Sequence, residues 1–249
     1  MLIQSDYHIH ASFHRIPKPG AEPGPTAAEQ AAAARSAGSR FVGVVEHCNA
    51  SPYHPFLCLA ALAAEYRSAG FDRDGVFLGV EADLADDGSD FCGRAGRKKL
   101  GLHYVIGSGH CSPAVSPELR AYLETEHRRI VGALERNGNI DIIGHPFGEG
   151  IRWEKAGLIP RWSWSLIPEA FLEDLLRAAE NSGKALEVNR GDFTDPVYLD
   201  FLRNIRDRHI LFSVGSDAHN TAATVRAAER TAELDRLGFA EEYHWRPDR

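Results

Sequence analysis

The stretch Asp6-Tyr7-His8-Ile9-His10 decides how the rest of the chain is read. On an extended strand, residues two apart project from the same face, so His8 and His10 can grip one metal ion between their rings. The theme recurs along the sequence. Val44-Val45-Glu46-His47, Gly79-Val80-Glu81, Gly107-Ser108-Gly109-His110, Ile143-Gly144-His145-Pro146 and Gly215-Ser216-Asp217-Ala218-His219 each end a short apolar or small-residue run in a hard or borderline metal ligand. Ligands at one end of many strands imply one shared metal site.

Outward from this pair the chain alternates strand and helix. Strand one covers residues 2–8, and the Gly/Pro-rich residues 16–25 form a loop. Thr26 and Glu29 form a capping box for an Ala-rich helix that Gly38 closes. Residues 40–46 form strand two, 56–69 a helix ended by Gly70, and 76–81 strand three. The run Gly93-Arg94-Ala95-Gly96-Arg97-Lys98-Lys99 shows no helical period and is predicted to be a loop, a solvated turn in preference to a substrate clamp. Residues 104–109 are strand four, and Ser116-Pro117 opens a long helix reaching Gly138. Strand five covers residues 140–144, and a second long loop, 147–167, holds Trp153, Trp162 and Trp164. These rings either form a lid or pack the loop down. Pro168 starts a helix ending at Gly183, residues 185–189 are strand six, Asp195-Pro196 caps a helix, residues 210–215 are strand seven, and a helix over 221–237 closes the pattern.

Strands separated mostly by helices, with no repeat of 20 to 50 residues, favour a closed or nearly closed barrel over a doubly wound sheet. The ligand positions decide between them. Barrel enzymes build sites at the carboxyl ends of the strands, where these residues fall, whereas an open sheet would hold its outer strand ends too far apart. A length of 249 residues suits one such domain spanning the whole chain.

Composition narrows the function classes. A formal charge of −7 and a pI near 5.9 argue against long nucleic acid as a partner. The first residues carry neither a basic start nor an apolar core, and no run approaches about 18 apolar residues, so no signal peptide or membrane span is expected and the expected location is cytoplasmic. Cys48, Cys58, Cys92 and Cys111 lack CxxC spacing and are expected to be thiols, not disulfides.

Taken together, Asp6-x-His8-x-His10, Glu46-His47, Glu81, His110, His145 and Ser216-Asp217-Ala218-His219 resemble the PHP (polymerase and histidinol phosphatase) family in order and spacing over nearly the whole chain. The resemblance implies a distorted (β/α)7 TIM-like barrel, two or three divalent metals (zinc, manganese or iron), and hydrolysis of phosphate esters. It puts one metal on His8, His10, Glu81 and Asp217, a second on Glu81 with His110 and His145, and a third on His47 and His219. The third site needs one more histidine from the loop after strand one. His14 is the nearest and His54 the substitute, and the choice stays open.

Phosphate esters resist attack because their anionic oxygens repel nucleophiles, so clustered metals are expected to neutralise charge and supply a metal-bridging hydroxide. Asp6 and Glu46, next to ligand histidines, are expected to orient imidazoles or hold a proton. Arg15 and Arg190 each follow a strand and could clamp phosphate bidentately. The expected partner is a small phosphorylated substrate, best matched by a phosphomonoester of the histidinol-phosphatase type. A phosphodiesterase or nuclease acting on nucleotides or short oligonucleotides would use the same metals. An amidohydrolase would also begin with HxH, but commonly carries a lysine on strand four, where this chain has Gly109-His110. A non-catalytic metal-binding domain is the reading outside enzymes, disfavoured because the ligand set is retained. His103 and His209 at strand starts and His127 within a helix are expected to be structural or solvent-facing.

Overall fold

In the computed structural model, which describes residues 1–11, 24–49, 56–71, 74–189 and 191–247, the strands form a nearly closed parallel barrel wrapped by helices. In chain order the elements are β1 (Ser5–His10), α1 (Ala27–Ser36), β2 (Phe41–Val45), β3 (His47–Cys48), α2 (Phe56–Ala69), β4 (Val76–Asp83), α3 (Gly93–Leu100) and β5 (Tyr104–Ser108). There follow α4 (Leu119–Arg136), β6 (Ile142–Ile143), α5 (Ile151–Lys155), α6 (Glu169–Ser182), β7 (Ala185–Val188), α7 (Pro196–Asp207), β8 (Phe212–Val214) and α8 (Val225–Arg236). Around the barrel the strands run β1-β2-β4-β5-β6-β7-β8, and β3 is a two-residue extension that pairs only with β4. The ring draws together where Ile9 bridges Ala218 and the His10 amide donates to the Ala218 carbonyl at 2.9 Å.

Local chemistry explains the helix ends. Thr26 accepts from the Glu29 amide at 3.2 Å while the Glu29 carboxylate accepts from the Thr26 amide at 2.8 Å, closing the capping box. Asp195 caps α7 through the Val197 amide at 2.9 Å, and Gly183 ends α6 in the left-handed region at φ 67°. Among the described residues no helix is long and apolar enough to cross a membrane, and none of the cysteines is in a disulfide.

The barrel interior is filled by Tyr7, Val45, Tyr104, Ile106, Ile142 and Ala185. Tyr104 lies across it, its hydroxyl donating to the Tyr7 carbonyl at 2.6 Å. Gly43 and Gly79 make room for that ring: a Cβ would stand 2.0 Å from the Tyr104 hydroxyl at Gly43 and 2.3 Å from Tyr104 Cζ at Gly79. Gly79→Ala is therefore expected to overpack the centre, costing about 1–3 kcal/mol. At ~2–4 °C per kcal/mol for a chain of this size, calorimetry should read a drop of several degrees in Tm. An unchanged Tm would mean that Tyr104 has another place to go.

Two sequence expectations are corrected. Residues 93–100 form helix α3, not a loop. It buries Gly96 and Leu100 and ends at Gly101 in the left-handed region, and its short length and two glycines hide the period from the sequence. Arg97 donates to the carbonyls of Asn139 (3.0 Å) and His103 (2.8 Å) and pairs with Asp141 at 2.9 Å. Those partners precede β6 and β5, so α3 serves the end of the barrel opposite the histidines and is no substrate clamp. Secondly, β1 runs on to His10 through a bulge: Asp6 pairs with Val42, but Ile9 already pairs with Val44. The extra residue lets Tyr7 face the interior beneath His8.

The tryptophan loop packs rather than covers. Trp153 is buried, donates to the Pro117 carbonyl at 3.0 Å and stacks on Tyr122 at 4.3 Å, while Trp164 sits 4.7 Å from Tyr198 and 4.9 Å from Phe201. His103, His127 and His209 are structural as expected: His103 Nδ1 meets the Leu78 amide at 3.1 Å, His127 stacks on Phe171 at 4.1 Å and His209 on Tyr243 at 4.6 Å. His244, unread in the sequence, is buried at the far end of the barrel, 2.9 Å from the Ser5 hydroxyl.

Candidate metal centre

Strand ends gather the sequence-selected residues into one cluster. His8 and His10 come from β1, His47 from β3, Glu81 from β4, His110 from beyond β5, His145 from beyond β6, and Asp217 and His219 from beyond β8. His8, His10, Glu81, His145 and Asp217 are buried.

Glu81 lies at the middle. Its Oε1 is 3.4 Å from His8 Nε2, 3.3 Å from His110 Nε2 and 2.9 Å from His145 Nε2. Its Oε2 is 3.3 Å from His10 Nε2 and 2.8 Å from His47 Nδ1. Asp217 Oδ1 is 3.2 Å from His10 Nε2 and 3.7 Å from both His8 Nε2 and His219 Nδ1. His8 Nε2 and His10 Nε2 stand only 3.1 Å apart.

These spacings fit metal ions. Two donors each about 2.1 Å from a tetrahedral ion lie about 3.4 Å apart, the separation that recurs here. Among the described residues three groups bring their donor atoms within 4.8 Å of one another: His8, His10 and Asp217; His47, Glu81 and His110; and His10, His47 and His219. Imidazole nitrogen mixed with few carboxylates suits zinc, manganese or iron.

Electrostatics agree. Burial would raise the pKa of Glu81, but His110, His8 and His47 outweigh it and hold the carboxylate well below its usual range. Burial opposes charge on His8 and His110, yet Glu187 and Glu81 at the one, and Glu81 and Asp83 at the other, raise both well above the ordinary value. A field that favours imidazolium there favours a bound cation equally. Burial, aided by His10, pushes His47 well down and His219 down to about 3, which leaves both rings neutral and ready to donate.

Two carboxylates that sequence reasoning passed over support the rings. Glu187, inside β7, accepts from His8 Nδ1 at 2.8 Å with one oxygen and from the His145 amide at 2.8 Å with the other. Asp83, at the end of β4, lies 2.6 Å from His110 Nδ1. Each fixes the far side of an imidazole so that Nε2 points into the cluster. A charged residue in the apolar run Ala185-Leu186-Glu187-Val188 was the signal available in the sequence.

Of the two roles expected of Asp6, orienting an imidazole or holding a proton, its surroundings favour the second. It is buried, pushed up to about 7 by that burial, and it accepts from the amides of Ser216 (2.9 Å) and His8 (3.3 Å) without contacting an imidazole. It ties β1 to the loop carrying Asp217. Glu46 accepts from the His47 amide at 3.0 Å. His145 and Asp217 adopt positive φ, 27° and 50°, the kind of held backbone that collects at functional sites. His14, His54, Arg15 and Arg190 lie outside the described residues.

Past Asp217 and His219 the cluster opens into a cavity of about 440 Å³, whose other wall carries Arg152, Lys155, Arg226 and Arg230. A larger cavity of about 890 Å³ lies outside the barrel between α6 and α7 and meets none of these residues.

No protein-family model matches the chain, and no curated protein matches it in sequence. Among solved structures, the histidinol phosphate phosphatase of Lactococcus lactis subsp. lactis, complexed with Zn, L-histidinol and phosphate, aligns with a TM-score of 0.65 over 96% of this chain and 95% of its own, at 16% identity. The two chains share one fold. A xyloglucan-specific β-1,4-glucanase from a ruminal metagenomic library aligns with a TM-score of 0.35 at 12% identity, over 95% of this chain and 72% of its own, too low to carry an argument.

Proposed function

We propose that this chain is a metal-dependent phosphoesterase of the PHP type, hydrolysing a small phosphomonoester. The observation that carries it is the recurrence of 3.1–3.4 Å donor spacings between His8, His10, Glu81 and Asp217. The fold shared with a zinc-bound phosphatase supports the same reading.

In this reading His8, His10, Glu81 and Asp217 hold one ion, and Glu81, His110 and His145 a second. His47 and His219 hold a third, with His14 or His54 completing it. When bound, the ions lower the pKa of a water and neutralise charge gathering on the phosphoryl oxygens. The chain's own residues set the stage for this. Glu81, whose two oxygens face different histidines, would be shared between the ions, while Glu187 and Asp83 orient the rings of His8 and His110. Asp6 fixes the Asp217 loop against β1. Arg15 and Arg190 retain their proposed place as phosphate clamps.

The test is inorganic phosphate released by metal-replete protein from L-histidinol phosphate, nucleoside monophosphates and an aryl phosphate, with Asp217→Asn as the blank. Release that disappears in the blank is the expected result. Release from diesters alone would transfer the proposal to a phosphodiesterase, and none from any ester would overturn it.

A further inference from the structure

The cavity that opens from Asp217 and His219 has a far wall of one sign. Arg152, Lys155 and Arg226 are exposed around it and Arg230 is partly buried. Two of the four are engaged: Arg152 pairs with the buried carboxylate of Glu149, and Arg230 donates to the Asn189 carbonyl at 2.9 Å, lies 5.2 Å over the Phe193 ring and feels the charge of Asp192. Lys155 and Arg226 have no ion pair among the described residues. Among the described residues the only carboxylate lining the cavity is Asp217, which belongs to the histidine cluster.

A phosphate seated at the cluster would present its leaving group to this wall. An ammonium-bearing leaving group, such as that of histidinol, would meet like charge there, at a cost. A carboxylate or second phosphate would meet guanidinium groups built to bind it through paired N–H donors. The geometry points to a substrate whose leaving group carries an anion of its own, with Lys155, Arg226 and Arg230 as specificity residues. This rests on the phosphoesterase reading and narrows its substrate class. It also sets this chain apart from its structural neighbour, whose L-histidinol is cationic.

Non-hydrolysable phosphonates of matched length separate this inference from the question of turnover. Zinc-loaded protein is titrated by calorimetry with propylphosphonate, 3-phosphonopropionate, propane-1,3-bisphosphonate and 3-aminopropylphosphonate. The expected order has both ligands with a second anionic group, 3-phosphonopropionate and propane-1,3-bisphosphonate, binding at least about tenfold tighter than propylphosphonate, with the amine weakest. The better of the two identifies carboxylate or phosphate as the second anion. In a Lys155→Gln/Arg226→Gln variant, with zinc content and circular dichroism checking its integrity, the ratio should fall towards one. Equal affinity for the neutral and anionic members, tightest binding of the amine, or no binding of any phosphonate would overturn the inference. Should the variant misfold, the wild-type order alone decides. Failure of the phosphoesterase reading would show instead as absent phosphate release, whatever the order of affinities.

Discussion

Glu81→Gln should lower phosphate release by at least about 10³-fold, the scale set by losing several kcal/mol of metal-supplied stabilisation. Both carboxylate oxygens are engaged, one facing His8, His110 and His145 and the other His10 and His47, all within 3.4 Å. A glutamine keeps the shape, yet it removes the negative charge and turns an amide NH2 towards nitrogens that must donate lone pairs. The cluster then lacks the carboxylate on which its five histidines converge. Elemental analysis should show metal lost together with activity, and a variant that keeps both would show that Glu81 is not shared between ions.

Glu187→Ala ranks second and acts at one remove from the ions. The truncation leaves His8 Nδ1, the His145 amide and the Asn189 amide group without their acceptor in a buried place. Removing one partner of a buried pair costs about 3–5 kcal/mol. In a chain of this size that is a fall of about 10 °C in the Tm of the metal-free protein. Released from its tautomer, His8 should also weaken metal affinity about 10- to 100-fold. Glu187→Gln, which keeps an acceptor without the charge, should fall between. An alanine variant with wild-type Tm and metal affinity would reduce Glu187 to a bystander.

How far the sequence could be read follows from what kind of order each feature has. The βα rhythm and the residues that cluster at the strand ends are legible because period and spacing are local: His8 and His10 share a face on any strand, and Thr26 with Glu29 caps any helix that follows. The predicted barrel, with the selected His, Glu and Asp side chains gathered at one end, is the observed one. Helix α3 was missed because eight residues with Gly93, Gly96 and a basic face carry almost no apolar period. What stabilises it is tertiary, through Arg97 reaching carbonyls that precede two other strands.

Glu187 and Asp83 were missed for a different reason. Their partners lie 179 and 27 residues away, so nothing nearby marks them as supports for His8 and His110. The bulge in β1 is likewise set by pairing with β2 and leaves no trace in composition. The contacts of Asp6 run to backbone amides because the chain loops back from β8 to meet it, a closure that the motif Asp6-x-His8 does not encode. The four basic residues of the cavity wall come from α5 and α8, more than 70 residues apart, and only the closed barrel makes them one surface.

These strand ends are proposed to form a centre for more than one metal ion. Metal per chain, measured by inductively coupled plasma mass spectrometry after loading with zinc, manganese or iron and exhaustive dialysis, tests it most directly. The account expects at least two tightly held ions per chain, falling sharply in Glu81→Gln. A wild-type protein that retains one ion or none with every metal would contradict it.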